Sequence, residues 1–199
     1  MCILSIDVKK APSLLLTCYI TGSRPRIAEA FAAGVDFVQL RAKELDAREL
    51  LRLGEAAAQV KESSKLLIND RLDVALACGA DGVHLPSNRP PVSAYRAIAP
   101  PGFVISVSCH TQAEVERAAI EGADFAVLAP IFSTPGKGPP IGLDALRLAV
   151  RVGIPVLALG GITRENAITC RDAGAAGIAA IRLFEDAPDL PAVLKQLRD

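Results

Sequence analysis

Four segments of this chain share one pattern: Ala33-Gly34-Val35-Asp36-Phe37-Val38, Cys78-Gly79-Ala80-Asp81-Gly82-Val83, Glu121-Gly122-Ala123-Asp124-Phe125-Ala126 and Ala173-Gly174-Ala175-Ala176-Gly177-Ile178. Each reads as a helix C-terminus, a glycine able to take left-handed dihedrals, a short turn and a buried strand. The copies recur every ~45 to 50 residues, the length of two βα units, which marks an architecture built by repetition. Further strand candidates fall between them, so the expected strands are 14–20, 35–41, 65–69, 81–85, 103–108, 124–129, 154–160 and 176–181. Helical patterns follow nearly every strand, at 26–33, 71–78, 92–98, 143–152, 164–173 and 188–197. Two more open at Asp46-Ala47-Arg48-Glu49 and Thr111-Gln112-Ala113-Glu114, which have the capping-box form. Eight strands, each followed by a helix, close into an α/β structure of the (β/α)8 TIM-barrel kind. Residues 1–199 then form a single barrel domain with no linker. An open doubly wound sheet is the alternative, but its Gly-rich nucleotide fingerprint is missing after the first strand.

The 199 residues suffice for one barrel of economical size, and Ala, Leu, Val and Ile supply a core suited to parallel strands covered by helices. With 22 basic and 22 acidic residues and no basic stripe, nothing invites a nucleic acid or an anionic membrane surface. The longest apolar runs, such as Val152 to Leu159, are too short to span a bilayer. The stretch Met1 to Ile6 makes a poor signal peptide because Asp7 follows at once. The five cysteines (2, 18, 78, 109 and 170) are scattered and never spaced C-x-x-C, so a reduced, cytoplasmic protein is expected.

In a barrel of this kind the chemistry sits at the carboxyl ends of the strands. Those ends present Gln39, Arg41 and Lys43 (second strand), Asn69-Asp70 (third), His84 (fourth) and Ser108-Cys109-His110 (fifth). They continue with Pro130 (sixth), Gly160-Gly161 (seventh) and Arg182 (eighth). Gln39, Arg41 and Lys43 alternate along the chain and so point one way, and two cations aimed at one spot call for something negative. A bound phosphate or pyrophosphate answers that need; so would an internal salt bridge. Two anion sites emerge. One combines Arg41, Lys43, Asn69 and Lys137; the other is the Gly160-Gly161 turn with the backbone beyond Arg182, where many barrels hold a phosphate on N–H groups. Asp70, the single carboxylate at these ends from the second strand to the fifth, is either a Mg²⁺ ligand or the partner of Arg41. His84 and His110 have nothing that orients them as a pair and read as structural.

Taken in order, Gln39-Leu40-Arg41-x-Lys43, Ile68-Asn69-Asp70-Arg71, Gly79-Ala80-Asp81-Gly82-Val83-His84-Leu85, Val107-Ser108-x-His110-Thr111, Pro130-Ile131-Phe132-x-Thr134-Pro135-x-Lys137 and Gly160-Gly161-Ile162-Thr163-x-Glu165-Asn166-Ala167 resemble thiamine phosphate synthases and their thiazole tautomerase relatives. The resemblance implies a Mg²⁺-dependent barrel enzyme that joins hydroxymethylpyrimidine pyrophosphate to a thiazole phosphate. It implies that Gln39, Arg41, Lys43, Asn69, Ser108 and Lys137 hold the pyrimidine pyrophosphate, with Arg41, Lys43, Lys137 and Ser108 as the catalytic candidates. Asp70 matches a Mg²⁺ ligand. Thr134 and Gly161 match contacts to the thiazole phosphate, beside Gly160 and Arg182. The expected partners are small phosphorylated molecules, with a homodimer open as the assembly. Such chemistry agrees with the residues: ionising a C–O bond requires a stabilised leaving group, which preformed cations and a metal supply.

The chain also departs from that family. Where a second Mg²⁺-binding aspartate follows His84-Leu85, this chain has Pro86-Ser87-Asn88-Arg89; Gly136 replaces a threonine, Arg182 a phosphate-binding serine, and Thr21-Gly22 stands where an aspartate is common. Pro130 falls about where the tautomerases carry a histidine. Two alternatives therefore accompany the synthase. One is a thiazole tautomerase-like enzyme with His84, His110 or Cys109 as base; the other is a phosphate-ligand-binding relative without catalysis.

Overall fold

At each repeated glycine the chain leaves a helix through a left-handed residue. Gly34, Gly79, Gly122 and Gly174 have φ of 80°, 70°, 92° and 94° in the computed structural model, which describes residues 15–199. The following residue's N–H reaches back into the last helical turn, as in Val35 to Ala30 (3.1 Å) and Ala123 to Ala118 (2.9 Å). That closure satisfies carbonyls the helix end would otherwise orphan. The aspartate of the repeat then joins two strands at the amino-terminal rim. Asp36 accepts from the Thr17 N–H at 2.9 Å, Asp81 from Leu66 at 2.8 Å and Asp124 from Ile105 at 2.7 Å. The fourth copy has Ala176 at that place.

The strands are β1 (Leu16–Thr21), β2 (Phe37–Leu40), β3 (Lys65–Asn69), β4 (Gly82–Leu85), β5 (Val104–Cys109), β6 (Phe125–Leu128), β7 (Val156–Leu159) and β8 (Gly177–Ala180). All pair in parallel with their neighbours in sequence, and β8 pairs with β1 to close the barrel. The helices are α1 (Arg24–Ala33), α2 (Ala47–Val60), α3 (Leu72–Ala77), α4 (Val92–Arg96), α5 (Gln112–Ile120), α6 (Gly142–Ala149), α7 (Arg164–Asp172), α8 (Arg182–Glu185) and α9 (Leu190–Arg198). None of the described helices is long and apolar enough to cross a membrane. Asp46 and Glu49 form a complete capping box at α2. At α5 only half of the box forms: Thr111 caps Glu114, whose carboxylate accepts instead from the His110 N–H at 2.6 Å.

Most strands are shorter than the alternation suggests, because their first residues turn and their last ones leave the ladder. β2 stops at Leu40, so Arg41 and Lys43 lie beyond it. The expected helix 143–152 ends at Ala149 and continues as a single 3₁₀ turn, Val150–Val152. Arg182, taken from sequence as the end of the last strand, instead opens the unforeseen helix α8. Leu14 of the expected first strand, Cys2 and the Met1-to-Ile6 stretch lie outside the described residues.

Inward-facing side chains alternate along each strand, and the barrel fills in layers. Leu16, Cys18, Phe37, Leu67, Phe125, Val127 and Leu157 form the apolar plug, where the Phe37 and Phe125 rings lie 5.1 Å apart. Gly82 and Gly177 make room for it: a Cβ on either would sit 2.3 Å from a backbone oxygen of the neighbouring strand. One layer further toward the carboxyl ends, the interior becomes polar with Gln39, His84 and Ser106, all buried. The apolar layers thus form the floor beneath a polar cup.

Candidate active site

The cup is a cavity of about 280 Å³ at the carboxyl ends of the strands. It gathers Gln39, Arg41, Asn69, Ser108, Thr134, Lys137 and Gly160 from the residues expected from sequence, and adds His84 and His110. Strands carry Gln39, Asn69, His84 and Ser108, whereas Arg41 and Lys137 enter from loops. The Lys137 loop is tightened by its own N–H bond to the Thr134 carbonyl (3.1 Å) and by Gly136 at φ 73°. Lys43 does not line this cavity, because the strand has ended and its alternation with it.

Two hydrogen-bonded relays set the polar wall. Gln39 Nε2 donates to Asn69 Oδ1 at 3.0 Å, leaving Gln39 Oε1 buried without a partner among the described residues. His84 bridges two hydroxyls, with Nδ1 2.9 Å from Ser106 Oγ and Nε2 2.8 Å from Ser108 Oγ. Burial, reinforced by the charge of Arg41, holds the His84 pKa down at about 4, so the ring is neutral near pH 7. One of its nitrogens then donates while the other accepts, which orients the Ser108 hydroxyl. Sequence alone offered no signal for this role beyond the position of His84 at a strand end.

The cations are unevenly occupied. Among the described residues Arg41, Lys43, Lys137 and Arg182 have no carboxylate within 4.0 Å. Asp70 is the exception on the acidic side. Its two oxygens accept from Nε and a terminal nitrogen of Arg89, not from Arg41. That hydrogen-bonded pair draws the Asp70 carboxyl below its ordinary range, and the charges of Arg71 and Lys43 push the same way. Asp70 has φ 68°, the one positive φ outside glycine among the described residues, and short polar side chains tolerate that region best.

A second cavity of about 110 Å³ adjoins the first, sharing Thr134, Leu159, Gly160 and Ile181 with it. Gly161 and Arg182 line this smaller space. Gly160 and Gly161 have φ of 98° and 65°, and added Cβ atoms would meet Pro130 Cα at 2.8 Å and the Ser133 carbonyl oxygen at 2.6 Å. The paired glycines therefore let the turn press against the loop after β6, which forms the wall between the two cavities.

Fold and site together define a (β/α)8 barrel of the enzyme kind, with a two-part polar cavity at the working ends of its strands. The chain belongs to the thiamine monophosphate synthase family, whose model matches residues 20–184. It is 44% identical over 176 residues to a thiamine-phosphate synthase of Methanoculleus marisnigri, covering 85% of this chain and 83% of that one. A thiamine-phosphate synthase of Moorella thermoacetica is 37% identical over 195 residues, covering 94% and 93%. Among solved structures, a thiamine phosphate pyrophosphorylase from Pyrococcus furiosus superposes with a TM-score of 0.83 at 31% identity, covering 94% of this chain and 95% of that one.

Proposed function

We propose that this protein is a thiamine-phosphate synthase that joins hydroxymethylpyrimidine pyrophosphate to a thiazole phosphate. The observation that carries the reading is the pair of adjoining cavities. One is lined by Arg41 and Lys137 with no carboxylate beside them, and the other by the Gly161 turn and Arg182. Two anionic substrates can then lie side by side across a shared wall, which supplies the proximity such a coupling needs.

In this reading the pyrimidine ring sits over Gln39 and Asn69. Buried Gln39 Oε1, which has no partner of its own, accepts from the ring's amino group, and the Asn69 amide donates. The C–O bond to the diphosphate breaks with its electron pair leaving on oxygen. Arg41, Lys137 and the Ser108 hydroxyl, which line the cavity, stabilise the charge that develops there, with Lys43 outside the lining. The thiazole nitrogen then gives its lone pair to the exposed methylene carbon, and the new C–N bond completes thiamine phosphate. No protein base is needed in this sequence, consistent with a neutral His84 and with a Cys109 thiol pushed up to about 12 by burial. The tautomerase-like alternative needs such a base.

Mg²⁺ is the cofactor the resemblance implies. No cluster of three or more His, Cys, Asp or Glu side chains among the described residues is arranged to hold a metal. The single candidate ligand, Asp70, has both oxygens engaged by Arg89. As they stand these residues do not fit a preformed Mg²⁺ site. A cytoplasmic setting accords with four buried free cysteines at 18, 78, 109 and 170.

The test is to incubate the protein with both phosphorylated halves, across a Mg²⁺ series, and to measure thiamine phosphate. Lys137→Ala and Arg41→Ala are each expected to lower kcat by about 10²- to 10³-fold while the thermal transition stays in place. Coupling at the wild-type rate in both variants would refute the leaving-group role. Tight binding of both substrates without turnover would favour the binding-protein alternative instead.

A further inference from the structure

We propose that His110 is the acid of the coupling, its imidazolium giving a proton to the diphosphate as that group departs. The assignment rests on the synthase reading and adds one residue to it. His110 follows β5 and is held at two atoms. Its backbone N–H donates to the Glu114 carboxylate at 2.6 Å, and its ring Nδ1 donates to the Ala129 carbonyl at 2.8 Å. The Ala129 N–H in turn donates to the Cys109 carbonyl at 3.0 Å, so the ring is fixed against the chain that follows β6. A carbonyl can only accept, so Nδ1 carries a proton there. Nε2 makes no hydrogen bond among the described residues, and His110 lines the cup. Nε2 is therefore the nitrogen left to meet a ligand.

Four of the cup's lining residues are titratable: Arg41, His84, His110 and Lys137. An arginine is not deprotonated in proteins, and an ammonium holds its proton more firmly than an imidazolium. The His84 ring is neutral near pH 7, with both nitrogens engaged by hydroxyls. That leaves His110 as the group suited to hand over a proton, and its exposure lets solvent reload it. Its surroundings match the task. Glu114 of α5 faces its backbone, while Arg41, His84 and Lys137 share the cup. Ser108 and Lys137, to which the proposed function gives the diphosphate, come from the same strand end and from the loop after β6. In the step, the C–O bond breaks with its electron pair on the diphosphate oxygen, and the Nε2 proton passes to a diphosphate oxygen. His110 is left neutral, with Nδ1–H still on Ala129, and takes a proton from solvent once the hydrogen diphosphate has gone.

The test compares intact wild type with His110→Asn and His110→Gln in coupling assays with both phosphorylated halves, across pH. Asparagine places its amide nitrogen about where Nδ1 stands, so it keeps the tie to Ala129 and removes the cup-side nitrogen. Glutamine offers the cup an amide that can donate a hydrogen bond but not a proton. Wild type is expected to lose kcat toward higher pH as the imidazolium is deprotonated, and to show a solvent deuterium isotope effect on a single turnover. Absence of both would overturn the proposal without any variant. Both variants are expected to fall about 10²-fold in kcat and to lose the pH limb and the isotope effect, with unchanged thermal melts. A His110→Asn protein that couples at the wild-type rate would reduce the ring to a staple and overturn the acid alone. So would a slowed variant that keeps the wild-type pH limb and isotope effect. Wild type that never couples the two halves would overturn the synthase reading, and this assignment with it.

Discussion

His84 is a buried imidazole whose two nitrogens both face hydroxyls, and its protonation is opposed mainly by burial and secondarily by Arg41. An unfolded histidine takes its proton near pH 6.5, whereas this one does so only near pH 4. Between those values the unfolded chain binds a proton that the native state refuses, so stability rises with pH through that window and is complete above it. His84→Gln is expected to flatten this part of the profile relative to wild type in urea melts taken between about pH 4.5 and about pH 7. The same variant should lower kcat moderately, because Ser108 loses the partner that orients its hydroxyl. An unaltered slope would mean that His84 does not titrate with unfolding. Arg41, Lys137 and Gln39 behave differently at this scale: among the described residues the two cations have no carboxylate within 4.0 Å and Gln39 Oε1 has no partner, and on the proposed function a substrate meets them.

The element that most needs outside support is α8. A helix of one turn is too short to hold itself in water, and it must be clamped. The clamp comes from the start of the chain's own barrel. The Tyr19 hydroxyl donates to the Glu185 carboxylate, Thr21 Oγ1 donates to the same oxygen at 3.1 Å, and Tyr19 packs edge-on against Phe184. Arg26 of α1 then donates to the carbonyls of Phe184 (2.6 Å), Glu185 (2.7 Å) and Ala187 (2.9 Å). Because Arg182 and Ile181 line the smaller cavity, this clamp also places the proposed thiazole phosphate site. Arg26→Met keeps the stem but removes the donors, at a cost of ~2 kcal/mol. It is expected to raise KM for the thiazole phosphate about fivefold with kcat little changed, whereas a purely global effect would leave KM alone.

At the scale of the whole molecule, the barrel has no free sheet edge, and each strand depends on two neighbours and on the shared plug. Phe125→Ala should therefore lower the entire unfolding transition by ~3 to 5 kcal/mol, and should not release one half of the chain first. Two separate transitions in calorimetry would contradict a single cooperative barrel. Much of this architecture is legible from local pattern: the left-handed glycines, strand spacing and helix caps depend on neighbours within a few residues. So do the positions of Gln39, Arg41, Asn69, Ser108 and Lys137, since counting to the end of a strand places a residue at the working face. The pairing of Asp70 with Arg89, nineteen residues away, is different in kind, as is the seating of His84 between Ser106 and Ser108. The clamp on α8 joins residues more than 150 positions apart. The periodic backbone follows from the residues alone, because dihedral preference and burial act on each short segment separately. Which charges meet, and which hydroxyls a buried ring holds, depend instead on distances that exist only once the cylinder has closed.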